Sequence, residues 1–164
     1  IIKKYFFDVR LNESTRLIEE LHSFLEWSWF WYQDLENIVV VNGPGSFTGV
    51  RTTVLLVNTI NYTIKKHITT LTYFDLFDVY PIIKASSKRD SFVKISVDED
   101  IQVVENENIK KMIQEKNISK IFWDVTFEWI ETQNTVDYEN IIQNIVFQKN
   151  SIVSAFYCKK PNIS

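Results

Sequence analysis

The stretch VVVNGPGSFTGVRTT, residues 39–53, carries every glycine of the 164-residue chain: Gly43, Gly45 and Gly49. Average usage, about 7%, would give a chain of this length roughly eleven glycines. A short apolar run, residues 37–41, precedes the loop and predicts a strand buried on both faces of a mainly parallel sheet. A helix predicted from about Thr48 to Lys66 follows, so the loop joins a strand to a helix.

Glycine-rich loops between a strand and a helix often cradle anions, but the spacing here differs from both familiar versions. A phosphate-binding loop requires a lysine directly after its last glycine, and no lysine follows Gly49. The glycines are also spaced one residue too far apart for a dinucleotide-binding fingerprint. The residues favour a tight turn with a structural role. Its expected parts are unusual dihedral angles at Gly43 and Gly45, a helix cap at Ser46 or Thr48, and close helix packing at Gly49.

Alternating strands and helices elsewhere predict an α/β fold. An amphipathic helix is expected from Glu13 to Glu26, and a hairpin with its turn at 98–100. The remaining expected elements are strands at 1–9, 68–74, 120–125 and 153–160 and helices at 108–116 and 136–149. A boundary near Tyr80–Pro81, with a loop at 84–91 beyond it, divides the chain into an N-terminal lobe, residues 1–80, and a C-terminal α/β lobe, residues 81–164.

Composition argues against several classes of function. With a net charge of −3, the chain lacks a global field that would attract nucleic acid. One cysteine and two histidines cannot assemble a zinc site with ordinary ligand spacing. Apolar runs stay well below the ~20 residues that cross a bilayer, and the first residues are too polar for a signal peptide. We therefore expect a cytoplasmic protein without metal or cofactor.

The nine residues GPGSFTGVR, 43–51, resemble the hallmark G-P-G-S-F-T-G-[LV]-R of the bacterial TsaB family, also called YeaZ. The matching residues are Gly43, Pro44, Gly45, Ser46, Phe47, Thr48, Gly49 and Arg51. Three flanking stretches, at 13–25, 71–77 and 155–161, resemble the corresponding elements of the family. The resemblance covers most of the chain, strongly over 34–66 and weakly after 80.

This resemblance implies an actin-like (ASKHA) fold of two ribonuclease-H-like α/β lobes. It also implies a non-catalytic subunit of the machinery that makes tRNA N6-threonylcarbamoyladenosine, docked on the catalytic subunit TsaD. A TsaE-like ATPase is a further implied partner, tRNA is an indirect one, and formation of a homodimer is left open. The glycine loop would then set the pose of helix 48–66 beside helix 13–26.

These two helices are the expected partner surface, because each has apolar side chains left over after one face is committed to the sheet. The expected contact residues are Leu17, Ile18, Leu21, Val54, Leu55 and Asn58.

The N-terminus departs from the family pattern. The first residue is Ile rather than Met, and the family's first strands with their Asp-Thr-Ser-like turn are not visible. We therefore expect an N-terminal lobe without its first strands. Two alternatives remain open: a small actin-fold ATPase or glycoprotease-like enzyme, and a degraded paralogue that self-associates.

Five tryptophans stand where members of the family commonly have glycine: Trp27, Trp29, Trp31, Trp123 and Trp129. We hypothesise that their codons are UGA triplets in a genome that reads UGA as glycine. The hypothesis would also explain the shortage of glycine.

Overall fold

The computed structural model describes residues 14–123, 130–133 and 135–159. Within them the order of helices and strands is α1 Ser14–Ser28, β1 Asn37–Val41, α2 Phe47–Ile64, β2 His67–Leu71, β3 Ile82–Ala85, β4 Asp90–Lys94, β5 Gln102–Glu105, α3 Asn106–Glu115, β6 Lys120–Trp123, β7 Glu131–Gln133 and α4 Tyr138–Asn144. Short 3-10 turns lie at Tyr32–Asp34 and Tyr73–Leu76. The expected strand 1–9 and Trp129 fall outside the described residues.

A parallel pair of strands, β1 and β2, forms the first sheet, with Asn37 opposite His67 and Val41 opposite Leu71. Helix α2 covers one face, and the shared core consists of Val40, Val50, Val54, Val57, Ile68 and Val153. The prediction that β1 is buried on both faces is wrong. Val39 is 38% exposed, because its side chain points away from the face that α2 covers.

Capping interactions define both ends of helix α2. The Ser46 hydroxyl accepts a hydrogen bond from the Gly49 N–H at 3.1 Å, so Ser46 is the cap, one of the two predicted. At the other end Lys65 has a left-handed φ of 55°, and the Asn61 side chain accepts the Lys66 N–H at 2.8 Å. None of the described helices has the length and apolarity needed to span a membrane.

The second sheet has the order β5-β4-β3-β6-β7. Strands β5, β4 and β3 are antiparallel neighbours, whereas β6 and β7 run parallel to β3. Helix α3 covers one face through Ile109 and Ile113, and the other face packs Ile82 and Phe92 against Phe74 of the second 3-10 turn. The predicted α/β class and the β4–β5 hairpin are confirmed, but β3 and β7 were not predicted.

The last described residues return to the first sheet. The segment 148–159, here called the C-terminal segment, runs from the edge of β2 along α2 to the glycine loop. The Ile68 N–H donates to the Asn150 carbonyl at 2.9 Å, an isolated antiparallel bridge. The prediction of a helix over 136–149 is therefore wrong beyond Asn144, and the predicted strand at 153–160 is not formed in its described part.

Candidate functional site

The first glycine of the loop is required by a close approach of two backbones. Gly43 has a φ of +137°, a conformation essentially reserved for glycine. A Cβ built on it would overlap the carbonyl oxygen of Phe156. The Gly43 carbonyl accepts the Tyr73 N–H at 2.7 Å, and the Phe156 N–H donates to the Asn42 carbonyl at 2.9 Å. The loop is thus held between the start of a 3-10 turn and the C-terminal segment.

The other two glycines have different surroundings from those predicted. Gly45 has no left-handed φ, and an added Cβ there would lie 3.1 Å from Val50 Cγ2. At Gly49 an added Cβ would lie 2.7 Å from the Ser46 hydroxyl. The close approach at Gly49 therefore involves the helix cap, not the preceding strand or a facing helix.

A small cleft of about 200 Å³ separates the glycine loop from the turn between β3 and β4. Its polar lining includes Ser46, Ser86, Ser87 and Lys159. Lys159 Nζ lies 2.5 Å from Asp90 Oδ2, and the Ser87 hydroxyl donates to Asp90 Oδ1 at 3.0 Å. The cation lining this cleft is thus already paired with a carboxylate.

Neighbouring groups set the protonation of two side chains near this cleft. The hydrogen bond from Lys159 lowers the pKa of Asp90, and those from Ser86 and Ser87 lower it further, although partial burial opposes them. Burial raises the pKa of the Cys158 thiol to about 11. Because the thiolate is the reactive form, Cys158 is a poor nucleophile at neutral pH.

The Asp90–Lys159 pair predicts a loss of stability in acid. Since the folded-state pKa of Asp90 lies below its unfolded value of about 3.9, the ionised pair stabilises the fold above that pH. This contribution is lost as the pH falls through the lower, folded-state pKa. We expect the urea midpoint of the wild type to fall more between pH 5 and pH 3 than that of Asp90→Asn.

Lys159→Gln should reduce the same acid sensitivity only in part, because the hydrogen bonds from Ser86 and Ser87 still lower the pKa of Asp90. The double variant should behave like Asp90→Asn, because removal of the carboxyl removes the titrating group. An Asp90→Asn protein with the wild-type acid sensitivity would exclude the pair as its source.

The six predicted partner residues divide by burial. Ile18 on α1 is 50% exposed and Leu55 on α2 is 68% exposed. Leu17 and Leu21 are half-buried and line an apolar groove between α1, α2 and β1, of about 460 Å³. Val54, at 8% exposure, belongs to the core, which corrects the expectation that its side chain is available at the surface.

Asn58, the sixth predicted residue, binds the C-terminal segment. Its side-chain amide donates to the Val153 carbonyl and accepts the Val153 N–H, both at 2.9 Å. Asn61, one turn later, also donates to the C-terminal segment, at the Ser151 carbonyl at 2.9 Å, whereas its side-chain oxygen accepts the Lys66 N–H. The sequence pattern did not predict this role, although two asparagines one turn apart on a predicted helix are a weak signal for it.

The C-terminal segment adds side chains to the outer face of α2. The Tyr157 ring lies 5.3 Å from the Phe47 ring, measured between centroids, and the Arg51 guanidinium lies 5.1 Å from the Phe47 centroid. Together with Leu55 and Ala155 these residues line a shallow depression of about 530 Å³, here called the α2 depression. It brings three residues of the GPGSFTGVR stretch, Phe47, Thr48 and Arg51, next to the predicted partner residue Leu55.

Two observations on the described residues bear on metal and acid–base chemistry. They contain no group of three histidine, cysteine or acidic side chains placed to hold a metal ion. The acidic residue Asp75 accepts hydrogen bonds from the Thr72 N–H and hydroxyl, at 2.7 and 2.8 Å, and so closes a 3-10 turn.

Comparison with known proteins identifies the relatives of this chain. It matches no protein-family model. The TsaB protein of Bacillus subtilis, a tRNA threonylcarbamoyladenosine biosynthesis protein, is 39% identical over 64 residues, which are 39% of this chain and 28% of that protein. YeaZ of Pseudomonas aeruginosa superposes with a TM-score of 0.53 at 13% identity, covering 62% of this chain and 57% of YeaZ. The chain is similar to the TsaB (YeaZ) proteins over these parts of its length.

A second solved structure has a similar fold. An uncharacterised protein similar to the peptidase YeaZ of P. aeruginosa superposes with a TM-score of 0.53 at 14% identity, covering 70% of this chain and 60% of that protein. These neighbours confirm the predicted actin-like fold type over the part of the chain that superposes. The chain spans less than two thirds of the length of each of these three relatives.

Proposed function

We propose that this protein is a subunit of the machinery for tRNA N6-threonylcarbamoyladenosine and that it holds a TsaD-like catalytic subunit through the outer face of α2. The carrying observation is the α2 depression, where Leu55 is 68% exposed beside Phe47 and Tyr157. Exposed apolar surface of this kind marks interaction sites. The relation to the B. subtilis TsaB protein supports the pathway.

The contact set proposed here is narrower than the sequence suggests. Leu55 and Ile18 are the anchors, because both expose apolar surface on the partner helices. Leu17 and Leu21 support them from the groove beneath α1. Val54 and Asn58 act indirectly, the first by packing α2 on its sheet and the second by holding the C-terminal segment.

The wider assignment is part of the same proposal. The protein works in the cytoplasm as a non-catalytic partner, a TsaE-like ATPase joins the assembly, and tRNA is reached through TsaD. Lobes over 1–80 and 81–164 remain the proposed division of the chain. The C-terminal segment then belongs by sequence to the second lobe and packs on the first sheet.

Leu55→Glu is expected to weaken binding of the TsaD-like subunit on the order of 100-fold, because a charge at the centre of the contact would be buried without a partner. The melting temperature should stay close to that of the wild type, since Leu55 contributes little to the core. Binding is measured by titrating labelled TsaD from the same source.

Thr63→Glu, two turns further along the exposed part of α2, adds the same charge and should leave affinity unchanged. Ile18→Glu should weaken binding through α1. Folded Leu55→Glu and Ile18→Glu proteins that both bind TsaD normally would place the interface elsewhere.

A further inference from the structure

The end of α1 closes in a geometry that normally takes glycine. The helix ends at Ser28, and Trp29 has a left-handed φ of 62°. The Trp29 N–H donates to the Glu26 carbonyl and the Phe30 N–H to the Leu25 carbonyl, both at 3.0 Å. These two bonds form the Schellman closure, in which the residue in the position of Trp29 is usually glycine. A bulky side chain in the left-handed region is an outlier.

Packing does not compensate for this conformation. The Trp29 side chain is 89% exposed, so it gains little from burial. The ends of α2 and α3 provide a comparison. Asn117, with a φ of 51°, is a residue type that tolerates the left-handed region. Lys65, with a φ of 55°, places its ammonium 4.0 Å from the Tyr62 ring centroid.

Composition points in the same direction. The chain has five tryptophans and three glycines, against roughly eleven glycines expected at average usage. All three glycines lie in one loop, and Trp27 and Trp31 flank Trp29 two residues to either side. Both flanking side chains are also more than half exposed.

We propose that position 29 is glycine in the protein as its own cells make it, and that codon 29 is UGA read by a glycine-accepting tRNA. Tryptophan at position 29 then results from translating the same codon with a genetic code in which UGA specifies tryptophan. Trp27 and Trp31 lie in the same exposed stretch and share the shortage of glycine, so the proposal extends to their codons.

The codon and the native peptide test this directly. We expect UGA at codon 29. We also expect the tryptic peptide Leu17–Arg51 from the source cells to have the mass calculated for glycine at position 29, with hydrogen in place of the indolylmethyl group of tryptophan. Fragmentation of the peptide assigns positions 27, 29 and 31 separately. A UGG codon at position 29, or an indole-bearing residue there in the native peptide, would overturn the proposal.

A pair of variants tests the structural premise. Trp29→Gly and Trp29→Ala both remove the indole, but only glycine adopts the left-handed region without a Cβ penalty. Trp29→Gly should therefore melt about 2–4 °C above Trp29→Ala. Equal melting temperatures would mean that the backbone at position 29 does not require glycine and would remove the structural ground for the proposal.

Discussion

Gly43→Ala is expected to lower the melting temperature by roughly 6–12 °C, corresponding to about 3 kcal/mol in a chain of this size. Two effects add. The φ of +137° is one that alanine rarely adopts, and the new Cβ would overlap the Phe156 carbonyl oxygen. Because that oxygen belongs to backbone, it cannot rotate away as a side chain would. The loop and the C-terminal segment must therefore separate.

Gly49→Ala is the matched control. Its Cβ would meet only the Ser46 hydroxyl among the described atoms, and this hydroxyl can turn at a cost of about 1 kcal/mol for the cap. The gain in helix propensity, also about 1 kcal/mol, offsets that cost. We expect a melting temperature within about 3 °C of the wild type. A Gly43→Ala protein as stable as Gly49→Ala would show that the contact with Phe156 is not needed.

Packing explains why the glycine loop needs a glycine at Gly43. Sequence alone predicted a structural turn with a cap at Ser46 or Thr48, because the spacing lacked the lysine and the glycine pattern of phosphate loops. It could not identify Phe156 as the neighbour of Gly43, since the two are far apart in sequence and no local pattern links them. The loop residues were predictable, whereas the partner that makes glycine necessary was not.

The same distinction explains which elements were predicted. Helices α1 and α2 and strand β1 follow from periodicity and caps within single windows of sequence. The C-terminal segment was misassigned because its residues read as helix and strand, yet the hydrogen bonds that fix it come from α2 and β2. Strand β3 has only four residues and sits before a serine-rich turn, so its pairing with β4 and β6 gives little local signal.

The candidate site likewise contains residues that the sequence could predict and residues that it could not. Leu55 could be predicted as surplus apolar surface, since it lies off the stripe that α2 presents to the sheet. Its neighbour Val54 lies on that stripe with Val50 and Val57, so helical periodicity already favoured the core, where the packing of α2 places its side chain. Tyr157 reaches the site through the C-terminal segment, which the sequence placed in a strand.

Asn58→Ala is expected to lower the melting temperature about as much as Gly43→Ala does, by roughly 6–12 °C, corresponding to a loss of about 3 kcal/mol in the free energy of unfolding. The side chain forms hydrogen bonds with both the N–H and the C=O of Val153, and Val153 is buried in the core between α2 and the first sheet. Alanine would leave two partly buried backbone groups without their bonds, each at about 1–3 kcal/mol. Thr59→Ala, one residue further along α2, removes only a local bond to the Leu55 carbonyl and should change stability little.

Hydrogen exchange distinguishes release of the C-terminal segment from general unfolding. In Asn58→Ala the amides of Val153 and Phe156 should exchange faster than those of β4, whose buried residues lie in the second sheet. Since Tyr157 follows the released residues and Asn58 itself borders the α2 depression, TsaD binding should also weaken. Unchanged exchange at Val153, with unchanged stability, would show that the C-terminal segment is held by the remaining contacts without Asn58.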